Sequence, residues 1–381
     1  MIYLDNSATT RCSDGAVEIM RRALQENFGN PSSLHSFGYQ GEQYRENARE
    51  AIAATLKCDK NEIFFTSGGT EGNNLALMGG AEAKKRRGNH IITTAIEHAS
   101  VSNPIKQLEK QGFEITYLGT DQYGVISLDE LQSAIRPDTI LVSIMMVNNE
   151  IGSLQPAAEA GKLIKSINPE ILFHVDAIQA YGKMAINPKK MNIDLLTVSG
   201  HKIHGPKGSG FIYIREKTRV VPQILGGGQE KGMRAGTENV PAIAGLGVAA
   251  KEAYDNLEAN REHMYMLRDR LIAGLGQIEG VSLNGHLDHN SAPHILSVSV
   301  SGARTKAEVI LHRLEEYEIY VSAGSACSSN KPAISSTLKA IGLNSDLLNR
   351  TIRFSLCPEN TTEEIDRAIE AMSIIVPQQI K

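Results

Sequence analysis

The chain has 381 residues, 41% hydrophobic and 22% charged, with a formal net charge of −4. That composition is globular and long enough for one large core plus a smaller one. The acidic balance argues against a nucleic-acid partner, and no stretch of 18 apolar residues is available to cross a bilayer.

The N-terminus, MIYLDNSATT, opens on a strand-like apolar run with no signal-peptide pattern. Four cysteines, Cys12, Cys58, Cys327 and Cys357, form no C-x-x-C pair. Neither a zinc ribbon nor a disulfide framework is therefore expected, and the usage suits a reducing, cytoplasmic compartment. From Ile63 to Arg215 short β-rich runs alternate with amphipathic segments. Strands are predicted at 62–66, 90–94, 115–119, 140–147, 171–177, 195–200 and 210–215. Helices are predicted around 71–87, 99–111, 127–135 and 156–167, the third capped by Ser127 and Glu130. The basic run Lys84-Lys85-Arg86-Arg87 suits a helix end. This alternation implies an α/β fold with a mainly parallel sheet, whose chemistry gathers at the carboxyl ends of the strands. A long helix is predicted over 240–276. Strands at 281–285, 294–300, 319–324 and 351–356 then alternate with helices near 304–316 and 332–341. A last helix starts near 362, with a capping box at Thr361 and Glu364. This second part reads as a smaller α+β domain.

Several short stretches bear chemistry. FFTSGGTEGNN (64–74) runs from a strand through Gly68-Gly69-Thr70 into a helix, an anion cradle or simply a tight turn. It lacks the Walker lysine, so it is no P-loop. His98 follows a strand in AIEHAS. Asn149 lies in VNNEIG, alone no more than a turn former. HVDAIQ places Asp176 at a strand end, where a buried carboxylate needs a partner, with Gln179 one step on. VSGHKIHGPKG (198–208) holds His201 and His204 without a carboxylate or Cys ligand beside them, which is weak as a metal site. Lys202 directly follows an apolar strand among small residues, so a covalent role and a phosphate contact are both open for it. LGGGQEKGMRAGTEN (225–239) fails the dinucleotide fingerprint and reads as a loop that is mobile or reaches a ligand. Cys327, in SAGSACSSN, sits among small polar residues, the setting of a reactive thiol. A lysine, a strand-end aspartate and a Gly-Gly-Thr cradle on one sheet edge together suggest pyridoxal phosphate.

At this point the chain resembles the group I cysteine desulfurases, within the class V aminotransferase superfamily of fold-type I pyridoxal-phosphate enzymes. The resemblance runs almost end to end. It rests on YLDNSATT, SGGTEGNN, EHAS, VNNEIG, HVDAIQ, SGHKIHGPKG, GGGQEKGMRAGTEN, SAGSACSS and IRFSL, in that order. It implies a large cofactor domain over residues 13–257 with a mixed, mainly parallel sheet. Residues 1–12 and 258–381 would form the small domain. Lys202 is then the Schiff-base lysine, Asp176 the partner of the ring nitrogen, and His98 the ring-stacking residue. Asn149 and Gln179 lie near the ring hydroxyl, Asn149 also near the substrate. Gly69, Thr70, Ser199 and His201 serve the phosphate. Thr237 reaches the phosphate of the other subunit of a homodimer. Arg353 binds the carboxylate of L-cysteine, and Cys327 takes the sulfur as a persulfide for an acceptor protein. A selenocysteine lyase, or another pyridoxal-phosphate enzyme of the class V aminotransferase fold, is the alternative. Two departures stand out: Asn6-Ser7 near the N-terminus, and Cys357 where glycine is common. The sequence stops soon after its last predicted helix, at Gln379-Ile380-Lys381, where relatives serving an iron–sulfur scaffold often carry a longer tail. The acceptor, iron–sulfur scaffold or tRNA-thiolation protein, therefore stays open.

Overall fold

The structure, a computed structural model, describes residues 1–302, 306–323 and 335–380. Thirteen strands are formed among them: β1 (Ile2–Tyr3), β2 (Ile63–Thr66), β3 (His90–Thr94), β4 (Glu114–Leu118), β5 (Thr139–Met145), β6 (Leu172–Asp176), β7 (Leu195–Ser199), β8 (Gly210–Ile214), β9 (Val281–Asn284), β10 (Ile295–Val300), β11 (Ile319–Tyr320), β12 (Ser322–Ala323) and β13 (Thr351–Ser355). Seven make the central sheet in the order β2-β8-β7-β6-β5-β3-β4. The run β7-β6-β5-β3-β4 is parallel, and β8 pairs antiparallel with both β7 and β2. Every residue of β5, β6 and β7 is buried, as expected of parallel strands covered on both faces. One apolar core, with Phe173, Val175 and Phe211, lies on one side of the sheet, and another, with Leu77, Ile105 and Leu141, on the other.

A second, antiparallel sheet, β12-β13-β10-β9, packs beneath helices Leu257–Leu275 and Thr362–Ile380. Its core takes in Ile2 and Leu4, so the first residues of the chain join the last. The predicted long helix is two, Val240–Asp255 and Leu257–Leu275, broken where Asn256 leaves helical geometry at φ −124° and ψ 27°. The predicted strand 319–324 likewise divides. Ile319–Tyr320 pairs with β1, whereas Ser322–Ala323 pairs with β13. The Thr361–Glu364 capping box forms in both directions. At Ser127 only half of the box forms, because the Glu130 carboxylate instead accepts from the Gly119 amide at 3.1 Å.

His174 on β6 is fully buried between Ser143 and Thr197, and burial pushes its imidazole down to about 3. In the unfolded chain it titrates near 6.5, so it favours folding above that pH. The contribution is lost as pH falls through the window from 6.5 to about 3, reaching ~3 kcal/mol of loss by pH 4. Urea midpoints measured from pH 7 to pH 4 are expected to fall in the wild type, and to fall less in His174→Gln. Equal slopes in the two proteins would refute this.

Candidate active site

The carboxyl ends of β5, β6 and β7 open into a cavity of about 350 Å³. Gly69, Thr70, His98, Asn149, Asp176, Gln179, Ser199, His201, Lys202 and Arg353 all line it, although they come from segments as far apart as 69 and 353. Thr237 does not. It stands in a separate depression with Ser67 and Arg234. Cys327 lies outside the described residues. A larger depression, about 610 Å³, sits at the opposite, amino ends of β6 and β7 around Lys84, Arg87 and Asp194, and holds none of these groups.

Lys202 closes the short helical turn Gly200–Lys202 that ends β7, and its Nζ donates to the carbonyls of Ser7 and Ala8 at 2.5 and 2.7 Å. Asp176 ends β6 and is almost fully buried. One carboxylate oxygen accepts from the Ile178 amide at 3.0 Å, the other from Asn73 Nδ2 at 2.8 Å. Burial raises its pKa, opposed by these hydrogen bonds and by the charges of His98 and Lys202. The second Asn73 N–H donates to Ser100 Oγ at 2.9 Å, and Ser100 Oγ in turn lies 2.9 Å from His98 Nδ1. Because His98 Nδ1 also accepts the Ser100 amide at 3.1 Å, its ring proton belongs on Nε2. Asn73 and Ser100 thus tie the aspartate to the histidine. Both lie inside motifs the sequence singles out, and Asn73 stands one helical turn after Thr70. Neither carries a signal of its own.

Behind this network Glu97 is fully buried and accepts from Thr94 Oγ1 and the Met145 amide at 2.9 and 2.8 Å. Burial, and then Asp176, push its carboxyl up to about 8. Gln179 donates to the Ser7 carbonyl at 3.0 Å, and its Oε1 faces His294 Nε2. His201 Nδ1 lies 3.2 Å from Thr9 Oγ1, and burial with the Lys202 charge pushes its imidazole down to about 4, so it meets a ligand as a neutral donor. Arg353, in the middle of β13, sends Nη2 to Asp5 at 2.9 Å and Nη1 to the Asn149 carbonyl at 2.7 Å. Its Nε is buried and has no acceptor among the described residues. Asp5 is raised in pKa chiefly by burial, against the pull of Arg353. No group of three His, Cys, Asp or Glu side chains among the described residues is placed to hold a metal ion.

These groups fit pyridoxal phosphate. The buried Asp176 carboxylate, its pKa raised by desolvation, regains a partner in a cationic ring N–H. Thr70, Ser199 and His201 meet in a depression that adjoins the cavity and suits a phosphate. Gly68 there has φ +146°, and a Cβ on it would stand 3.5 Å from Ser199 Oγ, inside that cradle.

The aminotransferase class-V family description matches residues 2–368. The chain belongs to that family. Within it, the chain falls among the cysteine desulfurases. It is 46% identical to a cysteine desulfurase IscS of Methanosarcina thermophila over 98% of this chain and 92% of that one. A solved NifS-like protein superposes with a TM-score of 0.93 at 39% identity, covering 99% of both chains. A structure titled SspA in complex with cysteine superposes with a TM-score of 0.82 at 36% identity, covering 95% of this chain and all of that one. The expected α/β fold and the pyridoxal-phosphate class are therefore those of this chain.

Proposed function

We infer that the protein is a pyridoxal-phosphate-dependent cysteine desulfurase, which takes sulfur from L-cysteine, releases L-alanine and hands the sulfur to an acceptor protein. The observation that carries this is one cavity holding Lys202, Asp176, His98 and Arg353. The strand that leads towards Cys327 runs beside it, since Ser322 pairs with Arg353. Bound there, pyridoxal phosphate supplies an electron sink for negative charge at the substrate Cα. Asp176 would hold the proton of the ring nitrogen. Lys202 Nζ would hold the cofactor and move the proton at the substrate Cα. His98, with its proton on Nε2, would stack on the ring. Asn149 and Gln179 place the ring hydroxyl, and Gly69, Thr70, Ser199 and His201 place the phosphate. The Cys327 thiolate attacks the substrate sulfur. An S–S bond forms, the C–S bond breaks, and its electron pair takes up a proton as the methyl group of alanine.

Two apolar cores support the division into a cofactor domain, 13–257, and a small domain, 1–12 with 258–381, meeting near Asn256. A homodimer is supported by exposed apolar side chains around the start of helix Ser36–Leu56, including Leu24, Phe28, Leu34 and Tyr39. Thr237 stands outside its own cavity, in a separate depression, which suits a residue that serves a partner's phosphate. No helix among the described residues is long and apolar enough to cross a membrane, and the cysteine usage suits the cytoplasm. Incubation with L-cysteine, with alanine and sulfide measured, tests the activity. Cofactor-loaded protein that makes no alanine overturns it.

Arg353 tests the substrate side. Arg353 lines the cavity, and Asp5 and Asn149 orient its guanidinium there. Arg353→Lys keeps the charge but loses the guanidinium geometry, including a hydrogen bond to a charged group worth roughly 1.5–3 kcal/mol. KM for L-cysteine is expected to rise ~10- to 100-fold, with the cofactor colour unchanged. An unchanged KM counts against the assignment.

A further inference from the structure

Lys183 takes no part in the steps above, yet it is only 9% exposed. It rises from the turn after β6, and its Nζ donates to the backbone carbonyl of Lys202 at 2.7 Å. Among the described residues this is its ammonium's one hydrogen bond, and no ion pair neutralises it. A cavity of about 150 Å³ lies behind the Lys202 backbone, between the helix Val240–Asp255 and the chain that follows β13. Into it face Lys183 and Lys202, with His204, Glu252, Cys357 and Glu359.

The neighbours leave few charges to consider. Burial pushes the Cys357 thiol up to about 11 and the His204 imidazole down, so both are neutral near pH 7. His201 and His294 also feel Lys183 and are held neutral by burial. Glu359 lies 3.9 Å from His204. Burial and then the charge of Lys202 push Lys183 down to about 7. A single donor tying down the carbonyl of the cofactor-bearing lysine, with a like charge behind it, is a device for placing that lysine and setting its proton affinity.

We propose that Lys183 is a positioning residue for Lys202: its N–H anchors the Lys202 backbone, and its charge opposes positive charge on the Lys202 side chain. This rests on Lys202 being the lysine that carries the cofactor. Lys183→Gln keeps a donor without the charge, Lys183→Arg keeps a donor with a permanent charge, and Lys183→Met keeps neither.

Each variant is loaded with pyridoxal phosphate, and its visible absorption is titrated from pH 6 to pH 9. Cofactor affinity of each apoenzyme is measured beside it. The midpoint of Lys183→Arg is expected about one pH unit below that of Lys183→Gln, because a nearby like charge disfavours the protonated form. Lys183→Met is expected to bind the cofactor about tenfold more weakly than Lys183→Gln, having left a carbonyl unpaired. Glu97, which titrates in the same window, is common to all variants and cancels. Coincident or reversed midpoints for Arg and Gln overturn the proposal, as does equal affinity of Met and Gln. Should the Arg variant not fold, coincident midpoints of Lys183→Gln and wild type below pH 7 overturn it. Borohydride reduction and peptide mapping separate the two readings. A cofactor found on a lysine other than Lys202 defeats the active-site assignment itself. A cofactor on Lys202 with coincident midpoints defeats only this inference.

Discussion

Lys202→Ala is expected to abolish alanine release from L-cysteine, by ~10³-fold or more, and to leave the protein folded. The side chain holds its place by two hydrogen bonds to the carbonyls of Ser7 and Ala8. Both carbonyls line the cavity wall, where water can replace the ammonium. The helical turn that carries residue 202 is held by other groups: Gly200 accepts the amides of Ile203 and Gly205, and Thr10 binds the carbonyl of His201. Deleting the amine therefore removes chemistry rather than structure. Asp176, Thr70, Ser199 and His201 remain to bind the cofactor, so the variant is expected to load with pyridoxal phosphate yet carry no borohydride-reducible bond to the chain. Mass spectrometry after reduction checks this directly. A lysine–cofactor adduct of usual yield in the variant would move the role to another lysine.

Much of the fold was legible because parallel strands, buried on both faces, must be continuous apolar runs. HIITT at 90–94 and TILVSIM at 139–145 are such runs, and both form strands. Helix Ser36–Leu56 was not legible. It opens with Gly38 and Gly41, which in sequence read as breakers. Each glycine instead meets backbone: a Cβ at Gly38 would stand 2.1 Å from the Ser33 carbonyl oxygen, and one at Gly41 2.3 Å from that of Gly29. They are there for close approach, which only the tertiary structure reveals. The break at Asn256 was hidden for the opposite reason, since one residue out of helical geometry leaves the hydrophobic period nearly intact.

The site divides along the same line. Lys202 stands out by its chemistry at a strand end, whereas Arg353, within a strand, is singled out only by the family resemblance. Residues that act on those residues do not stand out. Asn73 reaches Asp176 across 103 positions of sequence. Asp5 orients Arg353 across 348. Their types, Asn and Asp near turns, are common in any chain. Only folding makes them partners.

Cys327→Ala separates desulfuration of cysteine from its nearest relative. Cys327 itself lies outside the described residues, but both ends of its segment are fixed beside the cavity. On one side Ala323 ends β12, paired with β13 next to Arg353. On the other, Ser335 donates to Glu150 and Thr337 accepts from Asn148, at 2.5 and 3.2 Å. Cys327 stands four positions after Ala323, and a fully extended chain spans at most roughly 13–14 Å over four positions. The variant is expected to keep its cofactor and its spectral response to L-cysteine, since none of the described cavity residues is altered. Alanine formation from cysteine is expected to fall to background, because sulfur leaving a strong C–S bond needs a nucleophile to receive it. Selenium sits on a weaker bond and leaves more readily, so activity on selenocysteine is expected to persist. Cys357 offers no substitute: it is buried, and burial holds its thiol up at about 11, away from the thiolate form that attacks. The measurement is alanine released from both substrates, with mass spectrometry of the wild type for added sulfur on the peptide containing Cys327. Wild-type desulfuration by the variant, or a persulfide that maps to Cys357, would place the nucleophile elsewhere.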